Sequence, residues 1–211
     1  LTAPLVAQPR DRPGPWLVRF YGSTIGRKIV MALTGIVLVG FLVVHMAGNL
    51  LVHQGPQAIN EYAAFLKGNL ALLWGARAVL LVSVVLHAHA AVTLAARARA
   101  ARPSGYQRHT RLTSRWSSRL IRLGGVVLLA FVVFHLLHFT TGQALPSLFL
   151  DGEVYQNVVR SFQVGWVTAF YVVAMAALGA HLHHGLWSLF QTLGAGHPKL
   201  EAPRRGLSWF L

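Results

Sequence analysis

An apolar stretch closing on a histidine is written twice in this 211-residue chain, ninety residues apart. The first copy runs from Gly35 through Leu38 and Phe41 to His45, the second from Gly125 through Leu128 and Phe131 to His135. Both read G-x-x-L-x-x-F-x-x-x-H inside a long hydrophobic segment. Crossing a bilayer takes roughly 20 apolar residues, and each segment is of that order. A histidine in hydrocarbon costs free energy, which makes it a functional-site hypothesis by default. Two at matching places point to one ligand held between them.

Composition agrees with a bilayer. Hydrophobic residues make up 55% of the chain and charged ones 11%, and the mean hydropathy is +0.52, well outside soluble usage. Four spans are expected, at about 29–52, 70–96, 123–141 and 164–190. The fold class is therefore all-α, a transmembrane helical bundle. No cleavable export signal is legible. The chain opens on Leu1, and residues before it are expected in the natural protein. With no cysteine, disulfides, thiol catalysis and an iron–sulfur cluster ligated by this chain are excluded.

The formal net charge is +14, from 19 Lys and Arg against 5 acids. Because these charges lie between hydrophobic spans, they read as binders of anionic lipid and of an acidic partner face, not of nucleic acid. Arg10, Arg12, Arg19, Arg27 and Lys28 precede the first span, and eight arginines without an acid fill residues 97–122. Lys199, Arg204 and Arg205 follow the fourth span, whereas the other two linkers carry Lys67 and Arg160 alone. The positive-inside rule then puts the N-terminus, the arginine-rich linker and the tail in the cytoplasm, with the chain in the cell (cytoplasmic) membrane. Residues 1–20 read as irregular, because Pro4, Pro9, Pro13, Gly14 and Pro15 deny regular structure. Trp16, Leu17, Phe20 and Tyr21 read as an interfacial anchor. Residues 1–26 form an N-terminal cytoplasmic or interfacial segment and 27–211 the membrane domain. The ending Arg204-Arg205-Gly206-Leu207-Ser208-Trp209-Phe210-Leu211 resembles the flank and first turn of another span, so a fifth helix is expected after residue 206.

Of eleven histidines, His45, His87, His89, His135, His138, His181 and His183 lie within or near the spans, with His184 alongside. Any one of them alone reads as polar glue between helices; one in each of four spans asks for more. His87 and His181 each lie nine residues before the cytoplasmic end of their span, roughly 14 Å in. His45 and His135 lie about 21–24 Å from that side, so the two layers differ by roughly 10 Å in depth. His87-Ala88-His89 and His181-Leu182-His183 echo each other. Residues two apart face nearly opposite ways on a helix, so only one of each doublet points inward, and periodicity does not choose. Two histidines on facing helices at one depth are what a six-coordinate haem iron requires, and such an iron transfers electrons. Gly35, Gly40, Gly124, Gly125, Gly179 and Gly185 leave room for a porphyrin or simply for close helix packing.

From Ser23 to Leu193 the chain resembles the dihaem cytochrome b membrane-anchor subunits of succinate dehydrogenase and fumarate reductase (respiratory complex II). The resemblance is carried by Ser23-Thr-Ile-Gly26-Arg27-Lys28, Met31-Ala-Leu-Thr34-Gly35, His45-Met-Ala-Gly-Asn49 and Leu86-His87. It continues in Arg99-Ala-Ala-Arg102-Pro103, Gly105-Tyr106, His135-Leu-Leu-His138-Phe139 and His181-Leu-His183-His184-Gly185-Leu186-Trp187-Ser188. It implies five helices and two haems b, one on His45 and His135 far from the cytoplasm and one on His87 and His181 near it. His138, His184 and His89 would then support the ligands or the propionates. Arg77 would pair with a distal propionate or else snorkel to the interface. The resemblance also implies menaquinone or another quinone as acceptor, with Ser23, Arg27 and Lys28 candidates for binding it. The partners would be a flavoprotein subunit and an iron–sulfur subunit, docked on the arginine-rich face, in a complex whose oligomeric order stays open. The chain itself would bind no succinate. The acids are Asp11, Glu61, Asp151, Glu153 and Glu201, none inside a span, so a proton relay on buried carboxylates has no candidate.

Other functions compete. Histidine boxes of membrane di-iron desaturases and hydroxylases need about eight histidines on one aqueous face, unlike two layers inside spans. A haem subunit of a hydrogenase or formate dehydrogenase shares the haem physics but not the motif order. A transporter with histidine proton sites is disfavoured by the lack of buried acids and of a broken helix pair.

Overall fold

The computed structural model describes residues 14–101 and 114–194, with backbone alone for 114–120. Among these residues the chain is helical without a strand, an all-α bundle. Four helical stretches are long and apolar enough to cross a membrane, Thr24–Gln54, Leu70–Ala100, Ile121–Thr140 and Gly165–Thr192, as in a multi-pass membrane protein. The expected fifth span, residues 1–13 and residues 102–113 of the arginine-rich linker lie outside the described residues.

Helix α1 is Trp16–Gly22, so residues 16–20 are helical where irregular structure was expected. The prolines explain the start and not an absence: Pro15, at φ −54°, accepts hydrogen bonds from the amides of Val18 and Arg19, since proline is tolerated where a helix begins. Ser23 ends α1 and starts α2, Thr24–Asn49. Its hydroxyl accepts from the Gly26 amide and donates to the Phe20 carbonyl. A side chain at Gly26 would run into that carbonyl. The last carbonyls of α1, which a helix leaves unpaired, are further met by Arg27 on Tyr21 and by Arg97 on Gly22.

Helix α2 tightens into a 3₁₀ turn, Leu50–Gln54, and stops at Gly55, whose φ of +97° suits glycine. Pro56 then opens α3, Pro56–Gly68, where the sequence was read as a plain linker. Asn69 caps α4, Leu70–Ala100, by accepting from the Leu72 amide. Helix α5, Ser114–His135, passes into a π turn, Leu136–Thr140. After a short loop come α6, Val154–Phe162, and α7, Gly165–Thr192. The amphipathic α3 and α6 escaped the hydropathy reading because each buries only a few side chains, Ile59 on α3 and the polar Asn157 and Ser161 on α6.

The architecture repeats. Helix α2 packs along α4 with α3 joining them, and α5 packs along α7 with α6 joining them. The halves meet where α2 touches α7 and where α3 lies on α6. At the α3/α6 end Asn60 accepts from the Tyr155 amide and donates to Glu153, and Lys67 pairs with Asp151 at 3.3 Å. A buried apolar cluster of Phe131, Val167, Tyr171 and Ala174 sits between α5 and α7. Long apolar side chains on all four spans stay exposed, as they do where lipid is the solvent.

Candidate functional site

The repeated motif places its residues identically in both halves. Phe41 stacks on His45, four residues on, with ring centres 5.2 Å apart, and Phe131 stacks on His135 at 5.7 Å. Residues four apart share a helix face, so each phenylalanine restrains its histidine. The motif glycines serve the other layer. A Cβ on Gly35 would meet Cε1 of His87 at 3.5 Å, and one on Gly125 would meet Cε1 of His181 at 3.8 Å.

Histidines from four spans thus form two facing pairs. His45 on α2 meets His135 on α5, with ring centres 5.8 Å apart. His87 on α4 meets His181 on α7, at 6.4 Å. Gly35, level with His87, precedes His45 by ten residues, about 15 Å of helix rise, against the roughly 10 Å expected. Side chains lean toward their helix N-termini, and because α2 and α4 run oppositely the rings lean toward each other.

The structure also chooses within the first doublet. His87 faces inward, while His89 turns to α1, where its Nδ1 lies 2.6 Å from the Tyr21 hydroxyl. In the second doublet His181 is the residue facing His87.

Hydrogen bonds prepare the ring nitrogens. His87 Nδ1 lies 3.1 Å from the Met31 carbonyl, which can only accept, so this nitrogen carries the proton and Nε2 keeps its lone pair. Thr34, which donates to the Val30 carbonyl, lies 3.2 Å from the same nitrogen. His135 Nδ1 lies 3.3 Å from the Tyr171 hydroxyl. His181 Nδ1 is buried beside the Ile121 backbone, just short of full hydrogen-bond geometry.

This donor set fits a metal held by two imidazoles. Nitrogens each about 2 Å from one ion put the ring centres roughly 6 Å apart, near both observed separations. A ligating histidine characteristically donates its other N–H to a carbonyl or similar acceptor, as His87 does. Two imidazoles on facing helices would also suit a haem iron. No three His, Asp or Glu side chains converge into a metal-binding group among the described residues, so those residues assemble no histidine-box cluster.

No family model, curated protein or solved structure matches the chain.

The remaining candidates fall elsewhere. His138, expected beside a ligand or propionate, is 2% exposed and has both nitrogens engaged, by Tyr171 at 3.0 Å and Ser161 at 2.9 Å. His184 lies one turn beyond His181, half-buried. Arg77 is exposed, with its guanidinium 4.9 Å from the centre of the Trp74 ring, a cation–π contact suited to the membrane interface. The Ser23 hydroxyl and Nε of Arg27 are engaged at the α1–α2 corner. Near them a cleft of about 620 Å³ opens between α2, α4 and α7, lined among others by Thr24, Lys28, Met31, Arg97, Ser188 and Gln191. Met31 links it to the His87 layer, because its carbonyl is the partner of His87. Sequence reasoning named Lys28 but missed Arg97, Ser188 and Gln191, which come together only when three helix ends meet. It also missed Tyr171, whose signal was a phenol within an apolar span, in the second turn of its helix.

Proposed function

We propose that this chain is the dihaem cytochrome b membrane anchor of a succinate:quinone oxidoreductase, relaying electrons between an iron–sulfur partner subunit and membrane quinone. The observation that carries the reading is the pair of facing histidines in each of two layers, drawn from four different spans at metal-sharing separation. Each haem b, when bound, supplies a one-electron centre with no open position for oxygen.

The chain's own residues do the rest. His45 with His135 would hold one group, and His87 with His181 the other. Phe41 and Phe131 restrain their histidines by stacking, and the Met31 carbonyl holds His87 in the tautomer that presents Nε2. With the basic α1 end cytoplasmic, the His87 layer lies nearer the partner subunits. The cleft beside it is apolar at Met31 and polar at Lys28, Ser188 and Gln191, chemistry that suits a quinone ring with two carbonyls. Its Arg97 is already tied to the Gly22 carbonyl and helps hold the wall. The flavoprotein and iron–sulfur subunits would dock on the basic face.

A membrane cytochrome b of another respiratory dehydrogenase would use the same histidine pairs. Purification with native partners separates the two. The expected result is two b-type haems per chain, seen as reduced-minus-oxidised bands, together with co-purifying flavoprotein and iron–sulfur subunits and reduction of the haems by succinate. A colourless protein, or haems that succinate leaves oxidised, would overturn the proposal.

A further inference from the structure

Behind His135 lies a chain of buried polar groups in an otherwise apolar region. The Tyr171 hydroxyl stands between two histidines, 3.3 Å from Nδ1 of His135 and 3.0 Å from Nδ1 of His138. His138 Nε2 in turn lies 2.9 Å from the Ser161 hydroxyl. His138 is 2% exposed and Ser161 1%, and the rings of Phe131, Phe134, Phe139 and Phe162 pack around Tyr171 or His138. Polar groups this little exposed are satisfied by partners, and here each has one within the chain. His138 sits in the π turn Leu136–Thr140, a helical defect that recurs at functional sites.

Counting hydrogens gives the chain a direction. A phenol has one hydrogen and faces two ring nitrogens, so it donates to one and accepts from the other. In the first arrangement Tyr171 donates to His135, which must then carry its proton on Nε2 and cannot bind a metal there. In the second, His135 donates from Nδ1 to Tyr171, Tyr171 donates to Nδ1 of His138, and His138 donates from Nε2 to Ser161. Only the second leaves a lone pair on Nε2 of His135.

We propose that Tyr171, held in place by His138 and Ser161, is a positioning residue whose oxygen accepts a hydrogen bond from Nδ1–H of His135 and so fixes this histidine as an Nε2 ligand. The inference rests on the dihaem reading above and adds what distinguishes the two layers. In the α1-end layer a backbone carbonyl orients His87, which no side-chain change can remove. In the α3/α6-end layer a side-chain hydroxyl does the equivalent work.

An acceptor on the far nitrogen makes the ligating nitrogen more basic, which favours the oxidised metal. Removing the oxygen with Tyr171→Phe therefore shifts one haem toward reduction. A net hydrogen bond of ordinary strength corresponds to about a three- to tenfold change in that equilibrium, and tenfold is about 59 mV for one electron.

The test is a potentiometric titration of the b-type absorbance in the intact membrane complex of wild type, Tyr171→Phe and His138→Gln. One haem wave moves to higher potential in Tyr171→Phe and the other stays, and His138→Gln moves the same wave by less. Should Tyr171→Phe fail to accumulate, His138→Gln is read on the same criterion. Unchanged potentials, or equal displacement of both waves, overturn the inference while leaving the dihaem reading in place. A wild-type complex without b-type bands overturns the dihaem reading itself.

Discussion

Gly35 lies against His87, close enough that a methyl group on its Cα would touch Cε1 of the ring at 3.5 Å. Its counterpart Gly125 stands in the same relation to His181, at 3.8 Å. Each copy of the repeated motif therefore lends a glycine to one histidine layer and a histidine to the other.

That contact sets a size limit. At 3.5 Å a methyl makes ordinary van der Waals contact, so on the proposed dihaem reading Gly35→Ala should keep both haems. Gly35→Leu fills the space of the His87 ring, and core overpacking of this kind costs typically about 1–3 kcal/mol. The expected outcome is one haem per chain by pyridine haemochrome, with the His45–His135 layer still loaded.

On the proposed dihaem reading, alanine at any of the four paired histidines would remove one ligand of a haem iron. His45→Ala and His135→Ala should each lose the same haem and keep the other, while His87→Ala and His181→Ala should lose the opposite one. Haem content per chain and the surviving potential report the outcome. Loss of both haems in a variant that still assembles normally would contradict the layer assignment.

The α1–α2 corner depends on Ser23, whose hydroxyl makes two hydrogen bonds across it. Ser23→Ala should lower stability by about 1 kcal/mol, the usual loss for a helix cap. Unfolding in detergent checks this, with the haem spectrum expected to be unchanged.

At the opposite end two polar features differ in weight. Asn157 is buried and clamps the loop by accepting from the Leu150 amide and donating to the Leu150 carbonyl. Asn157→Ala leaves the Leu150 amide unpaired, while the Leu150 carbonyl still accepts from the Glu153 amide, and should cost about 1–3 kcal/mol. Asp151, 90% exposed in its pair with Lys67, is screened by water, so Asp151→Asn should change stability by less than about 0.5 kcal/mol. Parallel unfolding curves compare them.

Orientation can be read with thiols, because the chain has no cysteine of its own. Gln57 on α3 and Leu17 on α1 are both exposed and lie at opposite ends of the spans. An impermeant maleimide should label Gln57→Cys in intact cells and Leu17→Cys only after permeabilisation. The reverse pattern would invert the topology assigned from the basic flanks.

The four spans were legible because transfer of a long apolar helix into lipid is a local property, summed residue by residue. Their ends were less so. The first span begins at Thr24 and not near residue 29, and the second continues to Ala100, because caps at Ser23 and Asn69 and arginines reaching back to the α1–α2 corner set the boundaries. Helices α3 and α6 were read as linkers. Their apolar faces are short, and they are held largely by contacts such as that between Asn60 and Tyr155, ninety-five residues apart.

The sequence by itself determined which segments are long and apolar enough to cross a membrane and that the histidines fall into two layers along them, since both follow from hydropathy and a constant rise per residue. Only the tertiary structure decided which histidine of His87-Ala88-His89 turns inward, that Ser23 and Arg27 serve a helix corner, and that Tyr171, His138 and Ser161 line up behind His135. The physical reason is rotation. Depth along a helix is written in its own residues, but the face it turns to its neighbours depends on packing and hydrogen bonds supplied by the other helices.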